Sequence, residues 1–393
     1  MAGPRVLVVG DGLVGMSAVL ALAQKPVSMT WVGPQIGKRM LRPDHRSIVL
    51  NAVSQSVLNT LGVWNGLDAC ATPIKKVVVS DRGRWGKCRF SAEEAQLPAL
   101  GYVVPAHALL AALQQAAENL SCEIVCGKVS GIEASKKGIH HVQIKQDQLT
   151  KSWQGDVVLA ADGLNSPIRQ MQGLEIEKKD YQQTAFTCQV EFAQGHENIA
   201  YERFTRHGPI AMLPRQDGSV GVVWVVRAED AKALAQLSDQ AFLRALQEAF
   251  GTKLGLMMSV TPRQQYPLGL AWMDSPVSRG VVYLGNAAQT LHPVMGQGFN
   301  LGLRDVMDWV SLCERLKWQN IGGTAALLSY ARHRAGDRNQ VMRFSDQVVT
   351  QFSHGVWPLT MGRNMALGLV DLLPSAKRAV ARLSMGELMG ELR

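Results

Sequence analysis

The sequence has little that would suit a metal centre, a nucleic-acid track or a membrane span. Its six cysteines, Cys70, Cys88, Cys122, Cys126, Cys188 and Cys313, form no CxxC pair. Cys122 and Cys126 have the spacing to share a strand face, but two thiols alone make a poor metal site. Reduced core cysteines are expected, and no metal. No Lys/Arg block is long enough to follow a nucleic-acid backbone, although the formal charge is +9. Such a diffuse positive field suits an anionic cofactor, an acidic partner or an anionic membrane surface. No stretch reaches 18 clean apolar residues, so no transmembrane helix is expected. The opening MAGPRVLVVGDG lacks the basic, apolar and cleavage regions of a secretory signal, and a cytoplasmic protein is expected.

What is present is ordinary for a protein with a large core. The 393 residues are 47% hydrophobic and 19% charged. That length predicts two domains, or one large domain with a second woven into it. RVLVV (5–9) reads as a buried strand, GDGLVG follows, and MSAVLALAQ reads as a helix. This is GxGxxG between strand and helix. Gly10 permits the tight turn, Gly12 lets a pyrophosphate reach the backbone, and Gly15 lets the helix pack close to the sheet. The helix-start N–H groups would hold the diphosphate. The second strand, VSMTWV, ends in Gly33, Pro34 and Gln35, where an Asp or Glu for a ribose is expected. No second GxGxxG unit occurs.

From Ser47 the segment RPDHRSIVLNAVSQSVLNTLGVW reads as a helix, with Arg46 at its start and Asp44 as a cap or as a partner of Arg46. PIKKVVVSDRGRWGKCRF gives two strand candidates about a polar turn, and CEIVCGKVSGIEA and IHHVQIKQ read as paired strands. His140 and His141 would face opposite ways there and form no chelate. In GDVVLAADGLNSPIRQ a buried strand ends at Asp162 and Gly163, fitting either a ribose or ribityl chain or a plain turn and cap. Residues 181–226 are rich in strand signal with turns at HGP and RQDGS, and look antiparallel. VSRGVVYLG returns to a parallel-type strand, LGNAAQTLHPVMGQGFNLGLRD (284–305) is a glycine-rich loop opening a helix, and the chain is largely helical from Leu301.

GDGLVG, ADGLNSPIR and LGNAAQTLHPVMGQGFNLGLRD, in that order and rough spacing, resemble the flavoprotein aromatic hydroxylases, the class A single-component monooxygenases. The resemblance covers nearly the whole chain. AYERFTRHGPIAMLP (200–214) resembles the ubiquinone-biosynthesis branch, and the NAAQ form of the third motif resembles its 2-polyprenyl-6-methoxyphenol hydroxylases. The implied fold is α/β: a Rossmann-like FAD-binding domain (1–71, 101–175, 274–350), an interwoven antiparallel-sheet substrate domain (72–100, 176–273), and a helical C-terminal region (351–393).

The resemblance also implies roles. Gly10, Gly12 and Gly15 would surround the pyrophosphate of noncovalent FAD, Arg46 would reach the cofactor, and Asp162 and Gly163 would lie near it and serve transient NAD(P)H use. Asn286 and Gln289 replace the family's aspartate and histidine; Asn286 would accept a ribityl hydroxyl without charge. His292, Pro293, Gly296 and Gly298 would fold the loop against the isoalloxazine, where Gly298, Asn300 and Gly302 leave room for it. The implied reaction hydroxylates a polyprenyl phenol with NAD(P)H and O2 through a flavin C4a-hydroperoxide. His207, His292 and Tyr201 are the candidate bases. Two alternatives stay open: another ring position, or an assembly component that retains FAD without catalysis. Residues 356–383 mix apolar runs with Lys377, Arg378 and Arg382, suggesting docking to a membrane, at its inner face, or to a ubiquinone-biosynthesis complex. Packing on the chain's own core is the equal alternative.

Overall fold

The run RVLVV forms the strand Arg5–Val9, central in a six-stranded sheet and buried from Val6 onward. It pairs in parallel with Ser28–Gly33 on one side and Val157–Ala160 on the other. Outside these lie Glu123–Cys126 and Val281–Tyr283, also parallel, with Val277–Ser278 antiparallel at the edge. Parallel strands covered on both faces need continuous apolar runs rather than alternation, and VVLA and VVY are fully buried. The helices Leu13–Leu22, Ala106–Ala117 and Gln297–Arg315 pack with this sheet in one core that includes Met16, Leu109 and Trp309. A three-stranded antiparallel sheet, Lys128–Ala134, His140–Gln146 and Leu149–Gly155, lies on the other side, sharing a core with Leu7 and Val158.

This computed structural model describes residues 3–34, 36, 46–118, 120–134, 138–147, 149–353 and 371. Gln35, Asp44 and the suggested docking segment 356–383, Asp371 apart, lie outside the described residues. No helix among the described residues is long and apolar enough to cross a membrane.

The second large element is a nine-stranded, mostly antiparallel sheet. Its path runs Gln289–Thr290, Gln264–Trp272, Glu177–Phe192, Val220–Arg227, Gly208–Pro214, Ile199–Thr205, Lys76–Asp81 and Lys87–Ser91; Met257–Val260 also pairs with Glu177–Phe192. Lys76–Asp81 joins in parallel with Ile199–Thr205, so an early hairpin completes a sheet built mainly from later sequence.

Period-two alternation sorts this sheet into two faces. Phe186, Cys188, Ile210, Met212, Val222 and Trp224 pack under the helix Asp239–Phe250 through Phe242, Leu246 and Phe250. Their sequence neighbours, including Ala185, Thr187, Ala211, Leu213 and Val223, face a cavity on the other side.

One sequence expectation fails near this junction. Ser47–Leu50 is a strand, not the start of a helix; it pairs antiparallel with Tyr102–Pro105. The helix begins only at Ala52, where the Asn51 side chain accepts from the Ser54 N–H at 2.8 Å. The β-branched Ile48 and Val49 suit a strand, and the N-cap at Asn51 sets the boundary that apolar spacing alone misplaced.

Candidate functional site

A cavity of about 990 Å³ lies between the parallel sheet and the large antiparallel sheet. Three loops from distant parts of the sequence meet along one side. The first carries the glycines, and each has a distinct role. At Gly10, with φ +129°, a Cβ would sit 2.3 Å from the Ala161 carbonyl oxygen; at Gly15 it would sit 2.2 Å from the Gly10 oxygen. Both glycines therefore serve close backbone packing. At Gly12 a Cβ would meet nothing within 4 Å, and Gly12, Leu13 and Val14 line the cavity at the start of their helix. That leaves uncapped N–H groups facing open space, as an anionic diphosphate requires. At the end of the second strand, where an acidic residue was expected and Gly33 stands, the Asp11 carboxylate packs instead. A Cβ on Gly33 would lie 2.8 Å from Asp11 Oδ2.

The second loop follows Val157–Ala160. Gly163, at φ +87°, borders the cavity. The Asp162 Oδ2 accepts from the Ile168 N–H at 3.2 Å, whereas its Oδ1 is buried with no partner. Burial pushes this carboxyl above its ordinary range. The buried Arg169 donates to the Ala287 carbonyl at 2.8 Å, which ties this loop to the third.

In the third loop Asn286 is exposed to the cavity and makes no hydrogen bond to the described residues. Gly285 and Gly302 bring the loop and its helix against the first helix: a Cβ on either would lie under 3 Å from Val14 Cγ2. Gly296 takes φ +62° and is the N-cap of Gln297–Arg315; Gly298 has open space, and both line the cavity with Pro293. Asn300 borders the cavity too, and its side chain is held by three bonds within the protein. It accepts from the Asn51 N–H at 3.1 Å and donates to the Val49 and Gly296 carbonyls at 2.8 Å each. Its amide therefore pins the loop to the strand Ser47–Leu50.

His292 is 1% exposed on the cavity wall, and its ring meets Tyr181 edge-on at 5.4 Å. Its Nδ1 accepts from the Val294 N–H at 3.2 Å, so the proton sits on Nε2, which has no partner. Burial drives its pKa down to about 3. His292 is thus neutral, with its N–H buried in the cavity wall, and poorly suited to act as a base. The other two candidate bases are also displaced. His207, on the turn after Ile199–Thr205, is not among the cavity-lining residues. Its Nε2 accepts from Arg206 at 2.7 Å, and its Nδ1 lies 3.4 Å from an Asp230 carboxylate oxygen. Tyr201 borders the cavity, but its ring packs edge-on against Phe250, under the helix-covered face, at 5.8 Å.

Two features escaped sequence reasoning. Behind the third loop, Asp305 accepts from the Gly285 N–H at 3.1 Å, from the Gln289 amide at 2.6 Å and from Arg334 at 2.7 Å. Arg334, with no exposure, also pairs with Asp308 and Asp337; Arg338 donates to Gln289 at 2.9 Å. Gln289 is therefore part of a buried polar clamp. The Arg334/Arg338 spacing of four, one helical turn, was the available signal. The second is Glu202, which lines the cavity. The strand alternation that puts Tyr201 on the covered face puts Glu202 on the open one. Arg46 lines the cavity as well, its guanidinium 5.4 Å from the Tyr266 ring centre.

A phosphate-ready helix start, a neighbouring glycine turn and a second helix start all open into one largely apolar cavity beside an antiparallel sheet, an arrangement suited to a dinucleotide cofactor beside an apolar ligand. The model of the FAD binding domain family matches residues 4–345. The chain belongs to that family and is an FAD-dependent monooxygenase. It is 31% identical over 392 residues to the ubiquinone hydroxylase UbiL of Rhodospirillum rubrum, covering 98% of this chain and 90% of the relative. It is 28% identical over 395 residues to the 3-demethoxyubiquinol 3-hydroxylase of Escherichia coli, covering 97% and 98%. The fold also matches the crystal structure of p-nitrophenol 4-monooxygenase PnpA from Pseudomonas putida, with a TM-score of 0.79 at 16% identity, over 100% of this chain and 99% of that one.

The described residues fit FAD. Gly12 leaves space at a helix start, Asn286 lines the cavity with no hydrogen bond to the described residues, and His292, whose buried Nε2 has no partner, stands in its wall; Asp162 Oδ1, also buried and unpartnered, lies between the lining residues Ala161 and Gly163. Buried polar groups normally find partners, and a cofactor rich in hydroxyls, carbonyls and ring nitrogens supplies them.

Proposed function

We propose that this protein hydroxylates the aromatic ring of a polyprenyl phenol in ubiquinone biosynthesis, 2-polyprenyl-6-methoxyphenol being the favoured substrate, with NAD(P)H and O2 as co-substrates. The observation that carries this reading is the cavity itself. It runs from the cofactor loops to a floor of Val77, Val79, Phe90, Leu213 and Val223, where an apolar substrate is favoured over water. The names of the curated relatives support the same substrate class.

When bound, FAD supplies the redox and oxygen chemistry. Gly12 and the N–H groups after it would hold the pyrophosphate, and Asn286 would accept a ribityl hydroxyl. The N-terminus of Gln297–Arg315, with no acidic residue in its first turn, would stabilise negative charge on the reduced ring system. His292, neutral and donating through Nε2, would hold a ring acceptor or the substrate oxygen. The apolar floor would exclude water and so limit unproductive loss of reducing equivalents as peroxide. Asp162 and Gly163 would border the cofactor where NAD(P)H approaches.

The test is incubation of the purified flavoprotein with NAD(P)H, O2 and each of a set of prenylated phenols that differ in ring substitution. A product one oxygen heavier from the 6-methoxyphenol, mapped to one ring carbon, supports the proposal. Turnover only of a phenol open at another position moves the assignment to that position. NAD(P)H oxidation that yields peroxide alone with every phenol rejects it.

A further inference from the structure

The large sheet presents one row of directly opposed residues to the cavity: Cys88, Val79, Glu202, Ala211, Val223 and Thr187. All six line it. Glu202 is the row's one carboxylate, flanked on its two neighbouring strands by Val79 and Ala211 and along its own strand face by Ala200 and Phe204. It makes no hydrogen bond or ion pair with the described residues. A carboxylate set without a partner into an apolar floor is costly. That cost falls at a position that opens on the cavity.

We propose that Glu202 is the base that takes the phenol proton of the substrate ring. This rests on the proposed function. The titratable or charged side chains among the described cavity-lining residues are Arg46, Cys88, Tyr201, Glu202, Tyr266 and His292. Arg46 is a permanent cation. Cys88 is 1% exposed within the same row. The Tyr201 ring packs on Phe250, and Tyr266 donates its hydroxyl to Gln264 at 2.8 Å. His292 is a donor. Glu202 alone combines an accepting atom, access to the cavity and no competing partner.

Its environment also tunes it. Desolvation by the apolar floor pushes its pKa up to about 7. Against a phenol near 10, proton transfer to an ordinary carboxylate is disfavoured by roughly a millionfold, and to this one by about a thousandfold. The proton passes from the phenol oxygen to Glu202 as the ring carbon bonds one oxygen atom. That carbon then loses its hydrogen as a proton, the ring rearomatises, and Glu202 returns its proton to the phenol oxygen. O2 supplies the oxygen atom, its second atom leaves as water, and NAD(P)H supplies the two remaining electrons.

The experiment compares wild type, Glu202→Gln and Glu202→Asp as FAD-loaded enzymes, measuring flavin occupancy, product per NAD(P)H oxidised, and the pH profile of product formation. The expected wild-type profile falls on the acid side of about pH 7, where Glu202 takes up its proton. Glu202→Gln should keep its flavin and lose product formation by on the order of 100-fold or more, with NAD(P)H oxidation diverted to peroxide and the acid limb gone. Glu202→Asp, one methylene short, should recover part of the rate and keep an acid limb. Active wild type beside a Gln variant with unchanged rate and limb overturns the role of Glu202 alone. Should the Gln variant fail to fold, an Asp variant with no loss of product, or with no acid limb, overturns it. Wild type inactive on every prenylated phenol overturns the proposed function beneath it.

Discussion

Gly12→Val and Gly15→Ala should separate cofactor binding from folding within a single loop. At Gly12 the backbone is extended, φ −85° and ψ −178°, which any residue adopts, and a Cβ has open space. Valine there should leave apoprotein stability within about 1 kcal/mol of wild type, since it also restricts the unfolded chain. The same side chain would occupy the approach to the helix-start N–H groups. Loss of two charge-assisted hydrogen bonds at about 1.5 kcal/mol or more each predicts FAD binding weaker by at least 100-fold. At Gly15 the relation reverses. A Cβ would lie 2.2 Å from the Gly10 oxygen and 2.8 Å from its carbonyl carbon, both backbone atoms that cannot rotate away. The helix must shift, at a cost of about 1–3 kcal/mol or more in the apoprotein. Urea unfolding of the apoproteins and flavin fluorescence titration read the two effects. Equal destabilisation by both substitutions, or wild-type FAD affinity in folded Gly12→Val, would refute the reasoning.

Three further outcomes are expected. His292 titrates near its ordinary value in the unfolded chain but at about 3 in the folded one. Between those values the unfolded state binds the extra proton, so stability falls with acid: from pH 7 to pH 5 the apoprotein should lose about 2 kcal/mol that His292→Asn does not lose. Asp305→Ala should cost about 3–5 kcal/mol by leaving the buried Arg334 short of a partner, and should weaken FAD by freeing the Gly285 N–H and Gln289 that Asp305 holds; thermal unfolding and flavin titration check both. His207→Ala should change product formation by less than about twofold, because His207 lies off the cavity; a loss of 100-fold in a variant with full flavin occupancy would return it to the site.

Much of the nucleotide half was legible in the sequence because its signals are local. A strand, three glycines and a helix lie within 20 residues, and each glycine answers to backbone geometry over a short span. The failures came where long-range contact decided. Ser47–Leu50 is a strand because Tyr102–Pro105 pairs with it, and no local period announces that partner. Asn300, read as leaving room for the ring, also ties its loop to the Val49 carbonyl and the Asn51 N–H, partners about 250 residues away in the chain. Glu202 was not legible because alternation gives two faces without saying which is open. The answer came from the helix Asp239–Phe250, more than 30 residues later, which covers the face of Tyr201. The Asp305 clamp needed the tertiary meeting of two helices, although Arg334 and Arg338 already shared a helical face.

On the proposed function, the cavity hydroxylates a prenylated phenol with oxygen drawn from O2. The most direct measurement is turnover of a polyprenyl 6-methoxyphenol by the purified flavoprotein under isotopically heavy O2, with the product read by mass spectrometry. One heavy oxygen per product, on the aromatic ring, with NAD(P)H consumed in equal amount, is the predicted result. Full flavin reduction by NAD(P)H with no labelled ring product from any prenylated phenol would contradict it.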